Sequence, residues 1–429
     1  IKAAYFADAD PIAHFGLPVS YADMGNSFVI RAQRATFQYW KEDVPWAKQG
    51  EVSVANGGDL AKEIGLWPFY ATTPEPQPQL SGAYRAQSPE YGVIPFLIGS
   101  KNTTQRDLEK MLDAGFGWQK SLFQWYWIEH AGKGQFNWVD TDRVVQASNA
   151  LGIKVIARMD FPPDWARADK SHNGPPDSYQ DYADFVYATV DRYKTGSPYG
   201  RVHAVELWNE ANLAREWGNR KPNAAEYVQL LKAGYEAAKR ADPNITVIGA
   251  SLTPTGTYDD SVTPDDVFLQ QMYDAGGKAY FDVLGAHGAG YKAPPSMSPE
   301  QAAADPSYGG NRIFTFRRVE DLRAVMVRND DSGKQIWLTE FGWTSDPIHP
   351  DYAWHRVTEE QKAQYIVDAY RWAKDNWSPW IGVMALWNMP DPTWTQEREE
   401  YWWSITNPDS SNRPAFDQLK AARQNGTLP

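Results

Sequence analysis

The sequence contains no cysteine. That excludes a disulfide framework, a thiol nucleophile and any thiolate metal site. Histidine is scarce, and no two histidines stand at the helical spacing of a zinc site. The acidic stretch 259–266 lacks the ligand spacing of a calcium loop and reads as a solvated loop. No run of ~18 apolar residues is present, so no transmembrane helix is written here. No glycine-rich turn follows the first apolar run, which leaves a dinucleotide site without support. Positive charge is in deficit, with 42 Lys and Arg against 54 Asp and Glu, a net charge of -12. Such a surface argues against nucleic acid and anionic membrane as partners. The reading is therefore of a chain that needs neither metal nor cofactor and does not insert in a membrane.

Tryptophan, in contrast, is abundant, at 20 residues in 429. Indole faces stack on the C–H faces of sugar rings, and they also fill large cores; composition favours neither reading over the other. The chain starts at Ile1, which reads as a processed end, and the expectation is a secreted or extracellular protein whose signal peptide has been removed.

Three prolines fall within residues 72–80, TTPEPQPQL. They mark a stiff connector over 71–90, between a small N-terminal accessory segment, 1–70, and a long remainder, 91–429. The first segment is short for a core of its own and is expected to dock on the larger part. Beyond residue 90, short β-rich runs alternate with segments of helical period. The runs are 92–97, 117–124, 153–160, 202–208, 245–251, 281–287, 334–340 and 380–387. Thr104 is expected to cap a helix that stops at Gly115, and Asn223 to Glu226 and Thr358 to Gln361 are spaced as capping boxes. Eight strand–helix pairs in this length predict an α/β fold, a closed (β/α)8 TIM barrel, over an open doubly wound sheet.

In such a barrel the chemistry sits at the carboxyl ends of the strands. The residues there are polar and aromatic: Trp125, Asp160, Trp208, Asn209, Glu210, Ser251, His287, Glu340, Trp387 and Asn388. Glu210 ends the fourth run, in VELWNEAN (205–212), among amide and indole side chains suited to hydroxyl-rich ligands. Glu340 ends the seventh, in IWLTEFGW (336–343). Two carboxylates facing one cleft are what glycosidic bond cleavage requires, one protonated as acid and one ionised as nucleophile or base. Their proximity would raise the pKa of Glu210 while Glu340 is ionised. Lys120, Arg158 and Glu206 fall inside the second, third and fourth strands and read as an interior ion-pair network acting on Glu210.

WNEAN after the fourth strand together with WLTEFGW at the seventh resembles the clan A retaining glycoside hydrolases, most closely family 39 and its cellulase-like bacterial relatives. The resemblance covers residues 92–425. It implies hydrolysis of β-type glycosidic bonds in an oligo- or polysaccharide by double displacement, with Glu210 as acid/base and Glu340 as nucleophile. It implies that Asn209 donates to a sugar 2-hydroxyl, where the other reading is a strand-end cap, and that Trp387 floors the reacting sugar, where the other is core packing. His287 ends the sixth strand. A Tyr two residues on commonly bonds the nucleophile in the clan, whereas here the order is HGAGY and Tyr291 stands two positions late. Either the loop bulges, as its glycines permit, or Tyr291 has another role. Trp125, Trp165, Trp343 and Asp160 are further candidates for the sugar cleft; Trp127 and Glu129 lie in the loop after strand two, with Glu129 read as structural. The first segment, with the turn FGLP (15–18) and the run IRAQRATFQYW (30–40), resembles a small module of secreted bacterial proteins and reads as a structural apron, with a sugar-binding role as the alternative. Two rivals are a catalytically silent carbohydrate-binding barrel, opposed by the presence of both glutamates, and an aldolase or metal-dependent hydrolase, opposed by the lack of a strand-end lysine or histidine cluster.

Overall fold

The computed structural model describes residues 1–55 and 84–428, in two compact units, Ile1–Pro74 and Glu75–Pro429. Residues 71–83 of the proline-rich connector, and 56–70 before it, lie outside the described residues; 84–89 are irregular and Glu90 already opens a strand. The first unit is an antiparallel meander of β1 (Pro18–Asp23), β2 (Ser27–Ala32), β3 (Thr36–Trp40) and β4 (Val52–Ala55). Its core is small: Tyr5, Ala32, Ala35 and Phe37, with Phe15 packed edge-on against Phe37.

The second unit is a closed barrel of eight parallel strands. They are β5 (Glu90–Pro95), β6 (Trp118–Leu122), β7 (Lys154–Met159), β8 (Ala204–Leu207), β9 (Thr246–Leu252), β10 (Val283–Ala289), β11 (Ile336–Gly342) and β12 (Ile381–Met389), with β12 paired back to β5. Each of the eight apolar runs in the sequence overlaps one of these strands.

Side chains alternate in and out of the barrel wall. Outward residues such as Val155, Val205, Val247 and Leu338 join the helices in the main core. Inward residues from the amino ends of the strands, Trp118, Ile156, Ala204, Ile248, Val283, Trp337 and Val383, form an apolar plug, with Trp118 and Trp337 edge to face at 5.2 Å. Two residues further along β6, β7 and β8 the inward positions are Lys120, Arg158 and Glu206. The period of two thus lifts these charges one layer toward the carboxyl ends, directly beneath the site.

Capping departs from expectation in detail. Thr358 and Gln361 form the full reciprocal box at the start of Glu359–Trp377. Asn223 caps Ala224–Ala241, but Glu226 does not reciprocate; its carboxylate accepts from the Trp217 indole at 3.3 Å instead. The helix Thr104–Asp113 has Thr103 at its cap position, and the Thr104 hydroxyl donates to the Ser100 carbonyl at 3.0 Å.

Candidate active site

β8 ends at Leu207, and the chain turns sharply with Trp208 at φ 76° and Glu210 at φ 45°, in the left-handed region that side-chain-bearing residues rarely adopt. Asn212, fully buried, holds this turn by donating to the carbonyls of Thr253 and Thr263 at 2.9 and 3.1 Å, so it is a brace rather than a ligand for hydroxyls. The turn aims Glu210 into a cavity of about 290 Å³ at the carboxyl end of the barrel. Glu340 enters the same cavity from β11. His287 lies between them. The β10–β11 pairing slips by a residue after Ala286, a bulge that sets His287 opposite Glu340. Its Nδ1 is 3.1 Å from Glu210 Oε1 and 3.7 Å from Glu340 Oε2. Those two oxygens are therefore no farther apart than the two distances laid end to end, so the two carboxyl groups face each other across one cleft.

The two glutamates have different neighbours. Glu340 Oε1 accepts from Lys120 Nζ at 3.1 Å and faces Arg158 Nη1 at 3.7 Å. Lys120 has no solvent exposure and also binds Glu206, at 2.9 Å, and the Thr339 carbonyl. The interior ion-pair network thus exists, but it grips Glu340 and not Glu210 as expected, because Lys120 and Arg158 reach across the barrel toward β11. Burial alone would push Glu340 up; the positive charges of His287 when protonated, Lys120 and Arg158 outweigh it and hold the carboxyl below its ordinary value. Glu210 Oε2 accepts from Arg215 Nη2 at 2.9 Å. Its burial is likewise outweighed, first by the hydrogen bond and charge of His287 and then by Arg215, and its carboxyl sits well below the usual range. Carboxylate proximity predicted the opposite direction. In the free site, cations on three sides of the pair override the mutual repulsion.

Because Lys120 is enclosed, Lys120→Met should destabilise the barrel by about 3–5 kcal/mol, leaving Glu206 and Glu340 without their shared cation. Urea unfolding of the variant measures this. Adding Glu206→Met should recover part of the loss, and a single variant as stable as the parent would contradict the pairing.

The cavity gathers Asn209, Glu210, His287, Tyr291, Glu340 and Trp387 from the sequence candidates. Asn209 Oδ1 is buried with no partner, as is His287 Nε2. Tyr291 lines the wall, yet its hydroxyl donates to the Pro254 carbonyl at 3.4 Å, not to the nucleophile, and its ring packs on Phe314 and His355. Four candidates are not in the cavity. Trp125 is wholly buried, stacked on Phe185 with its indole donating to Glu129. Trp343 is wholly buried under the HGAGY loop. Gly290 permits this, since a Cβ there would lie 1.9 Å from the Trp343 ring, and the indole donates to the Ala293 carbonyl. Trp165 packs edge-on against Trp125 and donates to the Glu129 carbonyl at 2.7 Å. Asp160 is buried and does not line the cavity, accepting from Arg158 Nε. The tryptophan that joins Trp387 is Trp403, on the short helix Glu399–Trp403 after β12.

Sequence reasoning also missed Glu216, Tyr352, His355 and Glu399 in the wall, and the pairing of Arg215 with Glu210. Arg215 and Glu216 were findable by proximity, in the single turn Ala214–Glu216 just after Glu210. The others arrive on loops after β11 and β12 that carry no motif. Among the described residues no group of acidic and histidine side chains is arranged to hold a metal ion, and no helix is long and apolar enough to cross a membrane.

No protein-family model and no curated protein matches the chain. Solved structures do. A family 39 glycoside hydrolase from the gut symbiont Bacteroides cellulosilyticus WH2 aligns with a TM-score of 0.56 at 18% identity, over 92% of this chain and 70% of that one. A monomeric beta-xylosidase from Caulobacter crescentus CB15 gives 0.55 at 19%, over 79% and 69%. GH5_18 from Streptomyces cattleya gives 0.56 at 15%, over 80% and 82%. The fold of this chain is the one these glycoside hydrolases share.

Proposed function

We propose that the chain is a retaining glycoside hydrolase that cleaves β-type glycosidic bonds of an oligo- or polysaccharide by double displacement. The observation that carries this is the unequal setting of two facing glutamates. Glu340 is bonded to the enclosed Lys120 and faces the buried Arg158, which suits a nucleophile that must stay ionised. Glu210 is held instead by the His287 ring and by the solvent-exposed Arg215 at the mouth of the cavity, which suits a group that must gain and lose a proton. The fold it shares with family 39 and family 5 glycoside hydrolases is in keeping with the same reading.

In this scheme the sugar lies over Trp387, with Asn209 against its 2-hydroxyl. As substrate excludes water and draws Arg215 away, a doubly protonated His287 passes its Nδ1 proton to Glu210 Oε1 and is left as the neutral ring, which takes a proton back from Glu210 once Glu210 has acted as base. Glu210 protonates the departing oxygen while Glu340 attacks the anomeric carbon. Formation of the ester removes the negative charge of Glu340, and Glu210 then takes a proton from the water that releases the sugar. A secreted protein is part of the same proposal, since β-linked structural polysaccharides lie outside the cell membrane.

A panel of 4-nitrophenyl β-glycosides followed by proton NMR tests the reading. The β-anomer of the released sugar should appear first. A first-formed α-anomer would mean inversion, and no turnover with any β-glycoside would favour a silent binding barrel.

Arg215 supplies a pH test. Activity through an acid is lost as pH rises past that acid's pKa. The guanidinium holds Glu210 down, so Arg215→Ala should raise the Glu210 pKa and move the high-pH limb of kcat/KM to higher pH. A limb that stays in place or moves down would separate Arg215 from the acid.

A further inference from the structure

Trp127 belongs to the sequence motif FQWYWIE yet is 43% exposed, far from the fate of its neighbour Trp125. The difference is built in. The single turn Trp125–Ile128 is pinned at its base: the Trp125 indole donates to Glu129, the Gly134 amide donates to the same carboxylate, and Trp165 donates to the Glu129 carbonyl. This anchoring turns Trp125 inward and holds Tyr126 and Trp127 at the surface. They wall a second cavity of about 480 Å³ at the carboxyl ends of β5 and β6, within the ~300–1,000 Å³ of small-molecule sites.

Its lining has two characters. Leu122, Ile128 and the Trp127 ring supply apolar faces. Gln124 Oε1 is buried there without a partner, and Asn137 Nδ2 and His130 Nε2 have no protein partner among the described residues. Neither Lys nor Arg lines it, and its carboxylate, Asp140, is engaged by Arg143 at 2.8 Å. A charged ligand finds no counter-charge here. A neutral sugar, with apolar ring faces and hydroxyls at the rim, matches both characters. Two short chains of contacts lead from this cavity to the first. Tyr126 donates its amide to the Phe161 carbonyl, and Phe161 lies under the Arg158 guanidinium that faces Glu340. Phe96 packs edge-on against Trp387, and Ile98, two residues on, lines the second cavity.

We propose that this cavity is a second carbohydrate-binding site, taking a neutral sugar unit of a longer chain whose scissile bond lies between Glu210 and Glu340. It rests on the hydrolase reading for the position of that bond. The enzyme would accordingly act on a polymer, gripping it beyond the cleavage point.

Affinity electrophoresis tests this, using the full chain carrying Glu340→Gln so that the gel polymer is not cut. The gels contain xylan, mixed-linkage β-glucan, galactomannan or arabinan, with polygalacturonate as the acidic comparison. At least one neutral polymer should retard the protein. Adding Trp127→Ala should weaken that retardation by about 3- to 10-fold, and Asn137→Ala should weaken it in the same direction. With Glu340 intact, Trp127→Ala should raise KM for the polymer by a similar factor while kcat/KM for an aryl glycoside stays unchanged. Retardation by polygalacturonate alone, by no polymer, or to the same extent after Trp127→Ala would overturn the proposal. Failure of the hydrolase reading looks different: the parent chain would turn over no glycoside, while Trp127-dependent retardation would persist.

Discussion

Glu340→Ala is expected to lose turnover of every glycoside, by roughly 10⁴–10⁶-fold in kcat, because no covalent intermediate can form. The loss should be the same for good and poor leaving groups, since the missing step is attack and not departure. Adding azide to this variant should give an inverted glycosyl azide, the small anion filling the space that the carboxylate vacates on the far face of the sugar. Rescue with retained configuration would place the nucleophile elsewhere. Lys120 and Arg158 remain beneath the site in this variant, so a lowered melting temperature should be looked for alongside. A folded but inactive protein is the expected outcome.

Glu210→Ala should behave differently, and the contrast is the second large effect. A natural glycoside leaves as an alkoxide unless it is protonated, so its turnover should fall by about 10²–10⁴-fold. A 2,4-dinitrophenyl glycoside needs little protonation. Its glycosylation step should survive while release of the ester slows for want of a base, and a burst of phenolate should precede a slow steady state. Azide needs no base and should restore turnover with a product of unchanged configuration. Near-normal hydrolysis of the natural substrate by this variant would remove Glu210 from the reaction.

Much of this site was legible because two simple rules govern it. Short β-rich apolar runs alternating with segments of helical period exposed the eight strands, and the carboxyl-end rule then singled out Glu210, His287 and Glu340 from a long list of charged residues. The aromatic lining was less legible. Trp387 lies near the end of β12, whereas Trp125 and Trp343 follow strand ends, where the loop decides which way an indole turns. Trp343 is buried because Gly290 lets the backbone pass close over it. Trp125 is buried because Glu129 waits beneath it. Neither contact has a local signature. The ion-pair network shows the same limit. Lys120, Arg158 and Glu206 fall within strand runs and so were read as interior charges that need partners, yet choosing Glu340 over Glu210 as their partner needed the distances across the barrel. The resting charge of Glu210 was misjudged for a related reason. Two carboxylates were visible in sequence, whereas the convergence of His287 and Arg215 on one of them was only half visible.

The central claim is that Glu340 forms a covalent bond to the sugar. A 2-deoxy-2-fluoro glycoside with a dinitrophenolate leaving group, chosen to match the aryl glycoside the enzyme hydrolyses, slows release more than attack and traps the ester. Mass spectrometry of the intact protein should show one added fluoroglycosyl unit, and peptic mapping should place it on Glu340, within the peptide that contains residues 336–343. Label on Glu210 or another residue, or inactivation with no added mass, would contradict the account.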